Sequence, residues 1–314
     1  MAKISQNFGT SVHTLGQLPP DPSNSLVTLR KRARSKWYTQ AIVGRLLYQN
    51  SPLHRYYQRA YYCNHELTQE GLKITGKFCD TRVCHICNRI RTAKMMNGYI
   101  SQFVKFDYLE FVTLSVRSVT ANKLRETITE MRRVLTLIIR HFREKLKLDI
   151  SGVIKIEVTY NLIEDWYHPH IHLIVTGKVG NLFVQEWLKR FPDTSSFKGQ
   201  DCREADPNAL NEIFKYQTKI IVGSKDKLLV HIPALDTIMV ALKGKRTFQP
   251  FGSIRKVAED INGIQSQEYQ GIKEYPFVNW IWEDCDWVLS NVTEMGRDTL
   301  TGYIPPDIQI QFVE

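Results

Sequence analysis

His168-Pro169-His170-Ile171-His172-Leu173-Ile174-Val175 alternates imidazoles with apolar side chains and then runs on as a hydrophobic strand. A period of two is the period of a β-strand, so the three imidazoles share one face while Ile171, Leu173 and Val175 fill the other. Neutral imidazole is a strong ligand for divalent ions, and two on one strand face chelate a single ion. A lone strand histidine reads as a satisfied structural residue. Three in alternation read as a metal site carried by a sheet.

The preceding segment, Val153 to Leu162 (VIKIEVTYNL), also alternates, with Ile154, Ile156, Val158 and Tyr160 on one face and Lys155, Glu157, Thr159 and Asn161 on the other. The short polar link from Ile163 to Tyr167 predicts an antiparallel hairpin. Opposed residues share a face, so the two apolar faces must coincide if the hairpin is to cover a core. That register puts Glu157 beside His170 and His172. Two imidazoles and one carboxylate leave coordination positions open, as an ion acting on a substrate requires, whereas structural sites are closed. Taken alone, Glu157 is an ordinary solvent-facing carboxylate.

Asp206-Pro207 has the form of an N-cap followed by proline at the first helical position, and Gly223 can close the helix after Val222. Within that span Glu212, Tyr216 and Lys219 fall at i, i+4 and i+7, opposite an apolar stripe of Leu210, Ile213, Phe214, Ile220 and Ile221. By itself the polar triplet is a solvated helix face. Beside a metal site, the tyrosine becomes a candidate nucleophile towards phosphorus.

EVTYN and YHPHIHLIV, followed by EIFKYQTK at 212–219, resemble the histidine-hydrophobic-histidine (HUH) endonucleases, and within them the single-tyrosine initiators of plasmid rolling-circle replication. FVTLSV at 111–116 and the cysteine cluster at 63–87 are similar to further segments of that family, so the resemblance spans roughly residues 60 to 250. It implies metal-dependent nicking of one strand of plasmid origin DNA. Tyr216 would attack phosphorus to leave a 5′-phosphotyrosine and a free 3′-hydroxyl primer, and a later step would rejoin the strand or terminate the cycle. Glu157, His170 and His172 would hold Mn²⁺ or Mg²⁺. Glu212 would take a proton from the tyrosine or from a water, and Lys219 would offset phosphate charge or favour the phenolate. The implied partners are origin DNA, single-stranded or as a hairpin at the nick, with host helicase and DNA polymerase. His168 departs from the pattern, which leaves it open as a ligand, a group supporting the ligands, or a strand residue.

Two other classes fit parts of the pattern. Histidine-triad nucleotide hydrolases also alternate histidines on a strand, but there an imidazole is the nucleophile and the chain is much smaller, without the cysteines or the tyrosine helix. A zinc-dependent DNA-binding regulator would carry structural histidines and form no covalent DNA adduct.

Composition agrees with an anionic partner. The net charge is +10, and it is unevenly spread: Glu259 to Glu314 holds eleven acidic residues against Lys273 and Arg297, a net −9, leaving +19 for residues 1–258. No apolar run approaches a membrane span, and the polar first thirty residues lack a signal-peptide segment, so a cytoplasmic protein with no membrane partner is expected, in a bacterium as the resemblance implies. In that compartment six cysteines point to thiols or metal. Cys84-His85-Ile86-Cys87 is a knuckle-type pair, and Cys63 and Cys79 complete a tetrahedral Zn²⁺ site, with His65 or His85 as substitutes for one sulfur. Cys202 and Cys285 stand alone and are expected to be buried packing residues.

Two basic segments are candidates for phosphate contacts: LRKRARSK at 29–36, with Arg30, Lys31, Arg32 and Arg34, and a helix at 88–103 with Arg89, Arg91 and Lys94. A solvated helix face is the plain alternative for both. The order from 109 onward is strand (109–117), long amphipathic helix (120–147), hairpin (152–176), helix (181–191) and strand (197–205). Leu124, Ile128, Leu135, Ile138, Phe142 and Leu146 face inward on the long helix. This is an α+β class, a ferredoxin-like β-α-β-β-α-β antiparallel sheet with helices on one face and the site on an open one. The expected organisation is a polar, disordered segment at 1–26, a basic helical region with the zinc site at 27–105, the nuclease core with the tyrosine helix at 106–245, and an acidic extension at 246–314. Trp280, Trp282 and Trp287 argue that the extension packs locally, against the nuclease core, and is not a loose tail.

Overall fold

The computed structural model describes residues 25–214, 221–223, 227–258, 260–261, 263–290, 298–307 and 309–313. The expected disorder of 1–26 falls almost wholly outside them. In chain order the elements begin with α1 (Leu26–Leu46), α2 (His54–Tyr61), β1 (Glu66–Gly71), β2 (Lys73–Phe78), α3 (His85–Phe103), β3 (Leu109–Ser115), α4 (Ala121–Glu144), β4 (Gly152–Asn161) and β5 (Trp166–Thr176). They continue with α5 (Gly180–Arg190), β6 (Asp201–Glu204), α6 (Pro207–Phe214), β7 (Ile221–Gly223), β8 (Lys227–His231), α7 (Ile232–Leu242), β9 (Phe248–Phe251), β10 (Gly263–Glu268), β11 (Tyr275–Glu283), β12 (Asp286–Leu289) and β13 (Gln309–Val313). Two units emerge: among the described residues one holds 94–214 and 237–258, and the other holds 25–93, 221–223, 227–236 and those from 260 onward.

In the first unit the β-branched and aromatic runs of β3, β4 and β5 form the centre of an antiparallel sheet ordered β6-β3-β5-β4-β9. The succession β3-α4-β4-β5-α5-β6 is the ferredoxin-like order expected from the sequence. Register is fixed by the apolar alternation: Glu157 pairs with His170, Lys155 with His172, and on the other side Thr113 with His172 and Ser115 with His170. Leu124, Ile128, Met131, Val134, Leu135, Ile138 and Phe142 of α4 are buried, each contributing about 1.5–3 kcal/mol of apolar burial. Leu146 departs from the inward stripe and is 47% exposed, because α4 ends at Glu144 and the chain turns at Lys147 with φ 54°.

The histidine face is not open along its length, which corrects the expectation. Met95, Tyr99 and Phe103 of α3, with Leu210, Ile213 and Phe214 of α6, form one core with Leu109, Phe111, Val153 and Ile174 of the sheet. Ile174 stands two positions beyond His172, so the same strand face is dry core at one end and polar site at the other. The helix expected from Pro207 to Val222 is also corrected. Asp206 caps it, accepting from the Ala209 N–H at 2.7 Å, but Ile221–Gly223 is a strand paired with β8, so the helix does not reach Val222; residues 215–220 lie outside the described ones. The β-branched pair Ile221-Val222 favours an extended backbone over a helical one.

The second unit holds a five-stranded antiparallel sheet ordered β10-β2-β1-β11-β12. The β1–β2 hairpin was not expected in a region read as helical, and the acidic segment is corrected from an extension on the nuclease core. Its strands β10 and β11 flank the hairpin, while Phe248–Phe251 forms the β9 edge beside β4. Trp280, Trp282 and Trp287 are buried with Leu29 and Ala33 of α1, Leu67 and Ile74 of the hairpin, and Tyr269.

Asp286 locks the C-terminal part of this unit. Its carboxylate accepts from the N–H groups of Trp287 (2.8 Å), Thr301 (3.1 Å) and Tyr303 (3.1 Å) and from the Thr301 hydroxyl (2.8 Å). Removing a buried acceptor of this kind leaves several donors unsatisfied. Asp286→Ala is therefore expected to cost about 2–4 kcal/mol in urea unfolding followed by tryptophan fluorescence. A loss below about 1 kcal/mol would show that water replaces the carboxylate.

Candidate functional site

Adjacent strands β4 and β5 bring Glu157, His170 and His172 together by register alone. All three are buried, and their ligand atoms lie within 4.8 Å of one another. Glu157 Oε2 is 3.4 Å from His170 Nε2 and 3.5 Å from His172 Nε2. Two donors each about 2.1 Å from one ion at a near-tetrahedral angle are separated by about 3.4 Å. The rings are oriented from behind. His170 Nδ1 bonds the His168 carbonyl at 3.2 Å, and a carbonyl only accepts, so Nδ1 carries the hydrogen and the ring is held with Nε2 towards Glu157. His172 Nδ1 meets the Thr113 hydroxyl at 3.0 Å, which leaves its Nε2 buried with no hydrogen-bond partner among the described residues. A buried imidazole nitrogen of this kind suits a divalent ion as a ligand. Burial holds the His172 imidazole below its usual range, so it is neutral at neutral pH. Burial alone would raise the Glu157 carboxyl, but the two imidazoles and the Lys155 ammonium outweigh it and keep the group ionised.

A stack missed in the sequence supports the site. Phe111 lies with its ring centroid 5.1 Å from that of His172, and the Arg203 guanidinium sits 4.7 Å over the same phenyl ring. Arg203 also approaches Asp206 (3.7 Å) and Glu212 (3.6 Å), tying β6 to α6. Glu212 in turn places a carboxylate oxygen 4.0 Å from His172 Nε2. Tyr216 and Lys219 lie outside the described residues. His168 is half-buried and stands outside the group of converging ligand atoms.

Lys155 was also missed, although period two puts it on the face of Glu157. Its side chain, 6% exposed, forms an ion pair with Glu157 and donates to the Glu212 carbonyl at 2.9 Å. Removing one partner of a buried pair strands the other, at about 3–5 kcal/mol. Lys155→Met is expected to lose stability on that scale in metal-free protein, and added Mn²⁺ should raise its Tm by more than it raises the wild type's. Equal Mn²⁺ shifts in the two proteins would separate Lys155 from the Glu157 charge.

The four cysteines form a second cluster. Cys63, Cys79, Cys84 and Cys87 are buried, with Cys87 Sγ 3.7 Å from Cys63 and 3.6 Å from Cys79. A disulfide would need about 2.05 Å, whereas sulfurs about 2.3 Å from one tetrahedral zinc stand about 3.8 Å apart. The donor set fits zinc, and four sulfurs suffice without His65 or His85. Lys36, 1% exposed, donates to the carbonyls of Cys63 (2.9 Å) and Tyr61 (3.2 Å). Burial pulls its ammonium down to about 8, against the cysteine sulfurs, which favour its charge. Cys202 and Cys285 are only partly buried, which corrects their expected place in a core.

The basic candidates divide. Arg91 is 4% exposed, ion-paired with Asp80 and bonded to Asn88 at 2.8 Å, so a phosphate cannot reach it and it leaves the expected contact set. Arg89 bonds the Lys31 carbonyl (2.8 Å), Arg30 bonds the Thr301 carbonyl (2.7 Å), and Arg32 bonds Gln267 (3.1 Å) while lying over Phe78 and Tyr269. Lys31, Arg34 and Lys94 are exposed.

Comparison with known proteins points in one direction. Residues 72–191 match a family model described as a replication protein, a stretch that contains Cys79, Cys84, Cys87 and the Glu157, His170, His172 group and ends before Tyr216. The chain is 31% identical to a protein rep of Bacillus sp., over 59% of this chain and 71% of that one. It is 28% identical to a protein rep of Bacillus amyloliquefaciens over 59% and 65%, and 32% identical to one of Streptococcus pneumoniae over 32% and 33%. The chain thus spans less than two thirds of the length of the latter two. No solved structure matches it.

Proposed function

This chain belongs to the Rep family of replication proteins, the initiators of plasmid rolling-circle replication, and on that premise we propose that it nicks one strand of origin DNA with Tyr216 as nucleophile. The observation that carries the reading is the convergence of Glu157, His170 and His172 with the Glu212 carboxylate 4.0 Å from His172. Tyr216 follows Glu212 by four positions. A divalent ion, Mn²⁺ or Mg²⁺, held by the three ligands would draw electron density from the scissile phosphate. Glu212 takes the phenolic proton, the Tyr216 oxygen bonds to phosphorus, and the bond to the 3′-oxygen breaks. That oxygen leaves as a 3′-hydroxyl once it has gained a proton from solvent, and it primes synthesis. The 5′-phosphotyrosine conserves the phosphodiester energy, so a later 3′-hydroxyl can attack it and rejoin the strand. Lys219 favours the phenolate or offsets phosphate charge.

The cysteine cluster holds zinc as a structural ion in this reading, and Lys31, Arg34 and Lys94 meet the phosphate backbone. Residues 106–245 carry the chemistry. The working partners are plasmid origin DNA, single-stranded or extruded at the nick, then host helicase and polymerase in the bacterial cytoplasm. Among the described residues no helix is long and apolar enough to cross a membrane. The test is to incubate the protein with end-labelled single-stranded origin DNA and Mn²⁺ or Mg²⁺. A denaturation-resistant, metal-dependent adduct is expected, and its absence with both ions would leave a binding protein without nuclease chemistry.

A further inference from the structure

The third histidine of β5 has no part in the metal group. Its ring lies instead 5.5 Å from that of His170, nearly parallel at 22°, and lines an open polar cavity of about 330 Å³. Ser115 and Arg117, from the end of β3 onward, form one wall, and Thr194 and Ser196, from the loop before β6, form another. Ser115 is also the cross-strand neighbour of His170, so the cavity begins one strand away from a metal ligand. On the short turn Phe197–Gly199, between the lining residues Ser196 and Gly199, Phe197 does not itself line the cavity and is 76% exposed. A phenyl ring that buries so little contributes almost nothing to folding.

We propose that this cavity is a nucleotide subsite, which receives one unpaired base next to the scissile phosphate of single-stranded DNA. The inference rests on the nickase reading and names a position for the substrate within it. The volume is at the small end of ligand sites, about 300–1,000 Å³, suited to one nucleoside and not to a base pair. Enzymes acting on nucleic acid hold an extruded nucleotide by stacking and by hydrogen bonds to its edge. Within the cavity His168 supplies a ring, Ser196 and Thr194 hydroxyls, Asp193 an acceptor for a base edge and Arg117 a cation for a neighbouring phosphate, while the exposed Phe197, next to Ser196 in the chain, is a second ring available to the same base. The role of His168 is then to position DNA, with metal binding left to His170 and His172.

The experiment uses full-length protein and labelled single-stranded oligonucleotides spanning the nick of its plasmid origin. One is complete, and each of the others is abasic at one position within two nucleotides of the nick. Binding is read by fluorescence anisotropy in the Tyr216→Phe background, and Mn²⁺ affinity by calorimetry without DNA. Removing a stacking ring should weaken binding of the complete oligonucleotide about 5- to 20-fold for Phe197→Ala and for His168→Ala, with Mn²⁺ affinity unchanged. One abasic oligonucleotide should weaken the parent protein by a similar factor and make both variants indistinguishable from it. A loss that persists undiminished on every abasic oligonucleotide overturns the subsite, as does a fall in Mn²⁺ affinity for His168→Ala. If the wild type forms no adduct on any of these DNAs, the nickase reading fails by itself, and the binding comparison still decides the subsite.

Discussion

Tyr216→Phe should form no covalent DNA adduct and release no nicked strand, a loss of at least about 10³-fold, while binding origin DNA with nearly wild-type affinity. The substitution removes one oxygen, the atom assigned to the new bond with phosphorus, and keeps the ring. Effects on folding and on phosphate contacts should therefore be small. Two measurements separate the outcomes: adduct on a denaturing gel and anisotropy with the same DNA. Full nicking by the variant would transfer the role to another of the fourteen tyrosines. Loss of binding together with nicking would instead make Tyr216 a contact and leave the nucleophile unassigned.

The second large effect lies in the cysteine cluster. Cys87 Sγ lies 3.7 Å from Cys63 and 3.6 Å from Cys79, and Cys87→Ser is expected to abolish zinc binding. Because the unfolded chain has no preformed site, metal-binding free energy is folding free energy, about 10–16 kcal/mol in zinc-finger peptides. The variant should contain no zinc by elemental analysis, and the tryptophan transition of the Trp280, Trp282 and Trp287 core should shift to low urea or vanish. Chelation of the wild type should reproduce the change. Full zinc occupancy in the variant, or none in the wild type, would reject the assignment.

Much of this was legible because periodicity and register leave little choice. Once β4 and β5 are read with their apolar faces aligned, Glu157 falls on the face of His170 and His172, and the structure pairs it directly with His170; a β-α-β-β-α-β order follows from element lengths. The cysteines were legible for a similar reason, since their spacing needs only a short loop to close. What was missed depends on partners distant in sequence. Lys155 looks like a strand lysine until the Glu212 carbonyl is above it, and Arg203 looks like an edge residue until Phe111 lies beneath it. The β1–β2 hairpin had a signal, Glu70-Gly71 between alternating segments, but its sheet is completed by strands some two hundred residues away. The helix reaching Val222 failed because i, i+4, i+7 spacing says nothing about where a helix stops.

The order of strands in the second unit sets a timetable for synthesis. Phe78 pairs with Gly263, 185 positions later, so the ribosome delivers the hairpin and all four cysteines well before the strands that flank them. At bacterial elongation rates of about 5–20 residues per second, the wait is about 10–40 s. During it, both edges of the hairpin offer unpaired backbone groups to any neighbouring nascent chain. Residues 94–214, by contrast, include both partners of each β3–β5 and β4–β5 pair and can assemble as they emerge. Zinc captured at 63–87 would anchor the hairpin through that interval, making metal supply during translation a determinant of yield.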